Sequence, residues 1–203
     1  MFKFDHDWFS PNIHNLKKLS IGNEESPLRI LEIGAFEGMS TVFLAEHFKK
    51  STITTVDTWQ GSVEHKGNSE IDFVKAKSNF DHNISKFPGR IEAIRGKSFD
   101  VLINLYQSNR QFDFVFVDGA HDAISVNSDL ILSFRMLTVG GLIYCDDYFW
   151  GFNEKNHMSE YYKNFIFDTP KVGIDSFVSV YGNKLRPVVG LTNNAAVFIK
   201  VEE

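Results

Sequence analysis

From Leu28 onward the chain alternates short β-branched or aromatic runs with longer amphipathic stretches, and this rhythm constrains the fold more than any other feature. A strand buried on both faces reads as a short continuous apolar run. Reaching its parallel neighbour takes a crossover of about a dozen residues or more, usually a helix. Strands are predicted at Arg29–Ile33, Thr52–Asp57, Arg90–Arg95, Phe112–Asp118 and Gly141–Cys145. Helices are predicted over Glu37–Phe48, Ile71–Phe80, Phe99–Tyr106 and Asp122–Leu137. In the last of these, Ile124, Leu130, Phe134 and Leu137 recur at near-helical spacing and give one apolar face. The fold class that follows is α/β, a mostly parallel sheet with helices on both faces.

Beyond Cys145 the rhythm changes. Tyr148–His157 reads as a polar and aromatic loop, and Ser159–Phe167 and Ile174–Tyr181 read as helices. Leu185–Val189 and Ala195–Val201 are short strands separated by Gly190-Leu191-Thr192-Asn193-Asn194, a spacing that favours an antiparallel pair at the sheet edge. The first 27 residues, closing on Gly22-Asn23-Glu24-Glu25-Ser26-Pro27, carry a short helix and a turn-rich linker. They are expected to cap or lid a single domain spanning 1–203. A chain of 203 residues with 43% apolar residues and 20 Phe has the means to bury one core and little room for a second.

Charge and cysteine content exclude whole classes of function. Lys plus Arg number 21 against 26 Asp plus Glu, a net charge of -5, so general electrostatic capture of nucleic acid is disfavoured. No apolar stretch approaches the roughly 18 residues of a membrane span. The lone Cys145 has no intrachain disulfide partner, and the N-terminus lacks a basic region followed by an apolar run. A reducing, cytoplasmic setting is the expectation. Cys145 itself reads as a small buried residue, since no histidine is placed in sequence to activate it.

The chemistry gathers at strand ends. Leu31-Glu32-Ile33-Gly34-Ala35-Phe36-Glu37-Gly38 leaves a strand and enters a helix, so Gly34 and Gly38 sit where the backbone turns tightly beside a ligand. Ala35-Phe36 puts bulk where a dinucleotide pyrophosphate needs bare backbone, which argues against a nicotinamide-dependent oxidoreductase. Glu37 reads as a surface acid favouring the helix N-terminus. Asp57 ends the neighbouring strand, where a carboxylate can accept two hydrogen bonds from a ribose.

The next two strand ends carry Asp118-Gly119-Ala120-His121 and Asp146-Asp147, three carboxylates and an imidazole at the edge where such sheets bind ligands. Crowded carboxylates repel, and an oxygen-rich set suits Mg²⁺, Mn²⁺ or Ca²⁺ better than zinc. One of these acids could instead face a backbone amide or solvent. His121 is a competent general base near neutrality, with a capping role at the following helix as the other reading. His6, His14, His47 and His82 read as surface groups.

With these residues in view, the sequence resembles a class I S-adenosylmethionine-dependent methyltransferase. The resemblance rests on residues 31–38, on Val56-Asp57-Thr58-Trp59, on the run from Phe112 to His121 and on the run from Gly140 to Tyr148. It covers about residues 28–150 and is similar in detail to the small-molecule O-methyltransferases, both the catechol and caffeoyl-coenzyme A type and the macrolide-sugar type. It implies a Rossmann-like sheet of seven strands in the order 3-2-1-4-5-7-6 and the cofactor S-adenosyl-L-methionine.

By that resemblance Glu32, Gly34 and Gly38 shape the pocket for the methionine moiety, with Ser40 or Thr41 near its carboxylate. Asp57 holds the ribose, Thr58 and Trp59 flank the ribose or adenine, and Ser98 lies at the adenine edge. Asp118, Asp146 and Asp147 match metal ligands, Asp118 also touching the cofactor, and His121 matches the base of the sugar-modifying members. The catechol-type enzymes carry Asp-Asn where this chain has Asp146-Asp147, and often a lysine base where it has His121. The expected acceptor is therefore a small-molecule hydroxyl, on a sugar or polyol, with no nucleic acid or membrane partner.

Trp59–Gly67 and Tyr148–His157 are expected to recognise the acceptor, with Trp59, His65, Tyr148, Phe149 and Trp150 as candidate walls. The N-terminal segment and Gly61–Pro88 are candidates for a cap or a homo-oligomer interface. Two other readings stay open: a metal-independent methyltransferase in which His121 works alone, and a non-catalytic binding protein on the same fold.

Overall fold

The alternation resolves into a single mixed sheet. The computed structural model describes residues 1–19, 21–22, 25–62, 71–150, 168–191 and 194–203. Its strands are β1 (Arg29–Ile33), β2 (Thr52–Asp57), β3 (Ile91–Arg95), β4 (Phe112–Val117), β5 (Leu137–Cys145), β6 (Leu185–Pro187) and β7 (Ala196–Lys200). They form a seven-stranded sheet in the order β3-β2-β1-β4-β5-β7-β6. The pairs among β1 to β5 are parallel, β7 runs antiparallel to β6, as the short hairpin spacing favours, and β7 is also antiparallel to β5.

The helices are α1 (Ile13–Lys18), α2 (Met39–His47), α3 (Phe73–Ile84), α4 (Ser98–Gln107), α5 (Ala123–Met136) and α6 (Pro170–Tyr181). Local chemistry sets their starts. Asp72 and Asp122 accept hydrogen bonds from the amides of Lys75 and Ser125, capping α3 and α5 and moving the first helical residue past Ile71 and Asp122. Gly38 adopts a left-handed conformation, so α2 begins at Met39 and not at Glu37. Strand β5 is longer than expected: Leu137 already pairs with Phe112, and the register shifts before Phe114. The helix expected at Ser159–Phe167 lies outside the described residues.

Successive side chains on a strand point to opposite faces, and the core divides accordingly. Leu31, Val115, Val117 and Ile143 join one cluster with Leu102, Leu130 and Phe177 from α4, α5 and α6. Ile30, Phe114, Phe116 and Leu142 join the other with Leu16 and Leu44 from α1 and α2. Phe112, Phe134 and Phe177 thus lie in the first cluster and Phe9, Phe48, Phe114 and Phe116 in the second. At its far end the buried Lys200 ammonium donates to the carbonyls of Phe134 and Leu137, satisfying the C-terminal end of α5 from β7.

Parallel register aligns the carboxyl ends of β2, β1, β4 and β5, and backbone bonds carry the alignment past the strands. The amide of Gly34 donates to Val56, that of Asp118 to Ile33 and that of Asp146 to Val117, at 2.8 to 2.9 Å. The fit is close at Gly34, where φ is +90° and a Cβ would lie 1.8 Å from the Asp118 carbonyl oxygen. Gly34→Ala is therefore expected to cost more than about 3 kcal/mol, combining backbone strain with a steric overlap that only moving the Asp118 strand end relieves. Urea unfolding measures it, and a loss near the ordinary 1 kcal/mol of a point substitution contradicts the packing described.

Candidate active site

A cavity of about 680 Å³ opens along this edge of the sheet. One end is the turn after β1, where Phe36 is held at φ 46° between the two glycines. The Asp57 carboxylate fixes that turn. Its Oδ2 accepts the amides of Ala35 and Phe36, each at 2.8 Å, and its Oδ1 accepts the amide of Trp59 at 2.6 Å. A carboxylate has about four acceptor positions, so three amides leave one for a ribose hydroxyl. The amides that would meet a pyrophosphate are already taken.

Beneath the turn, the Thr41 hydroxyl donates to Oε2 of the buried Glu32 at 2.6 Å. Burial raises the Glu32 carboxyl above the usual carboxylate range, opposed by the hydroxyls of Ser40, Thr41 and Thr55. Of the residues expected around a cofactor, Gly34, Ser40, Asp57, Thr58, Trp59, Ser98 and Asp118 line the cavity. Glu32 and Thr41 lie behind its wall as a brace, and Gly38 caps α2, where a Cβ would press on Phe80.

The other end holds the acids. One ligand atom each from Asp118, His121 and Asp147 lies within 4.8 Å of the others. His121 Nε2 is 3.0 Å from Asp147 Oδ2, and its ring stacks on Trp150 with centroids 4.4 Å apart. Asp146 is turned differently: Oδ1 accepts the Asp147 amide at 2.9 Å and Oδ2 accepts Nδ2 of Asn12. Asp147 has φ 58°, a left-handed conformation that Asp tolerates, and the Asn194 amide at 3.3 Å steadies its Oδ1.

Electrostatics at this end is unfavourable as it stands. Burial, then the charges of Asp146 and Asp147, push the Asp118 carboxyl well above the usual range. Burial and Asp147 push Asp146 up to about 7. A divalent cation would offset this, and a compact set of two or three carboxylates with an imidazole has the donor chemistry to hold one. Cys145 is buried, and its thiol pKa is pushed up by burial and by Asp146, in keeping with an inert core residue.

The wall residues divide. Trp150 lines the cavity, whereas Tyr148 and Phe149 are not among its lining residues. The Tyr148 hydroxyl donates to Asp175 on α6 at 2.7 Å, and Phe149 is solvent-exposed against the Tyr148 ring. His65 lies outside the described residues.

The N-terminal segment supplies walls that the sequence reading placed elsewhere. His6, Trp8 and Phe9 line the cavity. Trp8 stacks on Phe36 at 4.6 Å, so the segment covers the glycine turn. Glu37, expected at the surface, is only 3% exposed. It accepts the amides of Asp5 and His6 and approaches His6 Nδ1 at 3.2 Å, because the segment crosses directly over it. His6 is accordingly a cavity residue and not a surface group. The signal for this was the alternation of Phe2, Phe4, His6 and Trp8 with polar residues, the period of an extended segment with one packed face.

Residues 31–148 match the model of the methyltransferase domain family, more than half of the chain. Among curated proteins, the O-methyltransferase hkm8 of Aspergillus hancockii is 28% identical over 131 residues, covering 64% of this chain and 46% of that protein. The chain thus spans about half the length of that relative. Among solved structures, an O-methyltransferase from Bacillus cereus in complex with SAH superposes with a TM-score of 0.64 at 18% identity, over 97% of this chain and 83% of that one. The MycE methyltransferase of the mycinamycin biosynthetic pathway, in complex with Mg and SAH, gives 0.61 at 21% identity, over 98% and 51%. At these identities the superpositions establish the fold.

The raised carboxyls make cation binding pH-dependent. With folded-state pKa values above unfolded ones, the folded chain holds more protons than the unfolded chain between about pH 4 and about 7, so its intrinsic stability falls as pH rises through that window. A cation must displace those protons at the lower pH. The rise in melting temperature on adding Mn²⁺ is expected to be larger at about pH 8 than at about pH 6. Equal rises, or a larger one at the lower pH, contradict this assignment of the acids.

Proposed function

This chain belongs to the methyltransferase domain family, and on that premise we propose that it is an S-adenosylmethionine-dependent O-methyltransferase acting on a small-molecule hydroxyl, of a sugar or polyol, with assistance from a divalent cation. The observation that carries the reading is that one cavity joins the Asp57-stapled turn to the acids and imidazole of Asp118, Asp147 and His121. A site for a methyl donor and a site for activating a hydroxyl thus share one enclosure.

S-adenosylmethionine supplies an electrophilic methyl carbon, and a divalent cation supplies positive charge that fixes vicinal hydroxyls and makes them easier to deprotonate. The protein's tasks are alignment, exclusion of water and uptake of a proton. Gly34, Ser40 and Asp57 hold the donor against the turn, and Ser98 bounds it on the β3 side. Trp8, stacked on Phe36, and Trp150, stacked on His121, shield the acceptor from solvent. His121 takes the hydroxyl proton, and the Asp147 carboxylate, 3.0 Å from its Nε2, balances the imidazolium that results. Asp118, Asp146 and Asp147 would hold the cation.

A second reading has its own observation: His121 can offer a ligand atom to the same point as Asp118 and Asp147. The two roles separate experimentally. If His121 is the base, His121→Ala lowers turnover by about 10²–10⁴-fold and leaves Mn²⁺ affinity intact. If it is a ligand, Mn²⁺ affinity falls with turnover.

Calorimetric titration should show saturable S-adenosylmethionine binding, weakened at least about tenfold in Asp57→Ala, a loss worth roughly 1.4 kcal/mol. Methyl transfer to vicinal-hydroxyl sugars and polyols should stop in EDTA and return with Mg²⁺. Absence of cofactor binding ends the methyltransferase reading. An undiminished rate in EDTA leaves a metal-independent enzyme that relies on His121 alone.

A further inference from the structure

The acid cluster is built on a residue that none of the motifs contains. Asn12 lies 106 residues or more from each of the acids in sequence, in a single 3₁₀ turn (Ser10–Asn12) before α1, and is 3% exposed. Its amide is engaged at both ends. Oδ1 accepts the hydroxyl of the fully buried Tyr144 at 2.7 Å, and Nδ2 donates to Asp146 Oδ2. Tyr144 also accepts from Nδ2 of Asn15, one turn further along the same segment, at 3.4 Å. The phenol in turn has its proton directed to Asn12, so the amide has one orientation, with its donor facing Asp146.

That orientation bears directly on the cluster. With Oδ1 taken by the Asp147 amide and Oδ2 by Asn12, the Asp146 carboxylate cannot rotate. It stays at the strand end next to Asp118, where both residues line the same cavity. Removing Asn12 leaves a largely buried anionic oxygen without its donor, which is costly for the carboxylate and loosens its position.

We propose that Asn12 is a positioning residue of the cation site: held by Tyr144, it fixes the Asp146 carboxylate, so that the N-terminal segment completes a site whose other members all come from the sheet edge. The proposal rests on the cation-assisted reading given above. Partners that orient a metal ligand from outside its coordination sphere are worth about 10–100-fold in affinity, and Asn12 has that relation to Asp146.

The test uses Mn²⁺ as the probe, its affinity read by electron paramagnetic resonance, with SAH affinity measured on the same samples. Asn12→Ala is expected to weaken Mn²⁺ binding about tenfold or more while SAH affinity is retained. Tyr144→Phe keeps the ring packing and removes only the hydroxyl that orients the amide, so it is expected to weaken Mn²⁺ binding in the same direction by less. Unchanged Mn²⁺ affinity in Asn12→Ala, or an equal loss of SAH affinity, overturns the proposal. If Asn12→Ala does not fold, Tyr144→Phe decides: a selective loss of Mn²⁺ affinity supports the proposal and unchanged affinity overturns it. Failure of the unaltered chain to bind Mn²⁺ overturns the cation reading and this proposal together, whereas the Asn12 outcome alone leaves that reading standing.

Discussion

The carboxylate of Asp57 is the point on which the cofactor end of the site turns. It accepts the amides of Ala35, Phe36 and Trp59, so the tip of β2 holds both the turn after β1 and its own departing chain. Without that acceptor, three amides near the cavity would need water or a ligand, and Phe36 would lose support for its left-handed conformation. Because the Trp59 indole donates back to the Phe36 carbonyl at 2.9 Å, the two strand ends lock from both sides. Trp8 of the N-terminal segment then stacks on a Phe36 ring whose place is fixed.

The acids depend on the same extension of the sheet. Parallel register places Val117 beside Cys145, and the backbone bonds of Asp118 and Asp146 to the neighbouring strands carry the alignment one residue further. The sheet thereby buries and crowds carboxylates that repel one another, and burial first, then that repulsion, raises the carboxyls of Asp118 and Asp146. Two segments from elsewhere steady the result, Asn12 on Asp146 and Asn194 on Asp147, and the Trp150 ring, on the chain leaving Asp147, stacks on His121. The arrangement makes physical sense as a site that gains stability when positive charge enters.

What could be read from the sequence was what depends on neighbours in the chain. The alternation located five strands and the short spacing near the C-terminal end the other two, and the resemblance supplied their order, found in the sheet. Gly34, Asp57, Asp118, His121 and Trp150 were legible because they sit at or just after strand ends, Ser98 came only with the resemblance, and each lines the cavity. What escaped notice depends on pairing at long range. Glu37 looks like a helix-start acid until the N-terminal segment crosses it, and nothing near Asn12 in the chain announces Asp146 as its partner. Tyr148 follows the acids directly, but the left-handed Asp147 redirects the chain and sends that ring to α6.

In the proposed site, one cavity places a methyl donor against the Asp57-stapled turn and a cation among the acids. A crystal structure grown with SAH and Mn²⁺ tests both at once, using the anomalous signal of the metal. SAH is expected along the turn from Gly34 to Glu37, with its ribose on Asp57 and its adenine near Ser98, and one anomalous peak contacting Asp118 and Asp147. SAH bound away from that turn, or a cation peak with neither acid as a ligand, would contradict that placement.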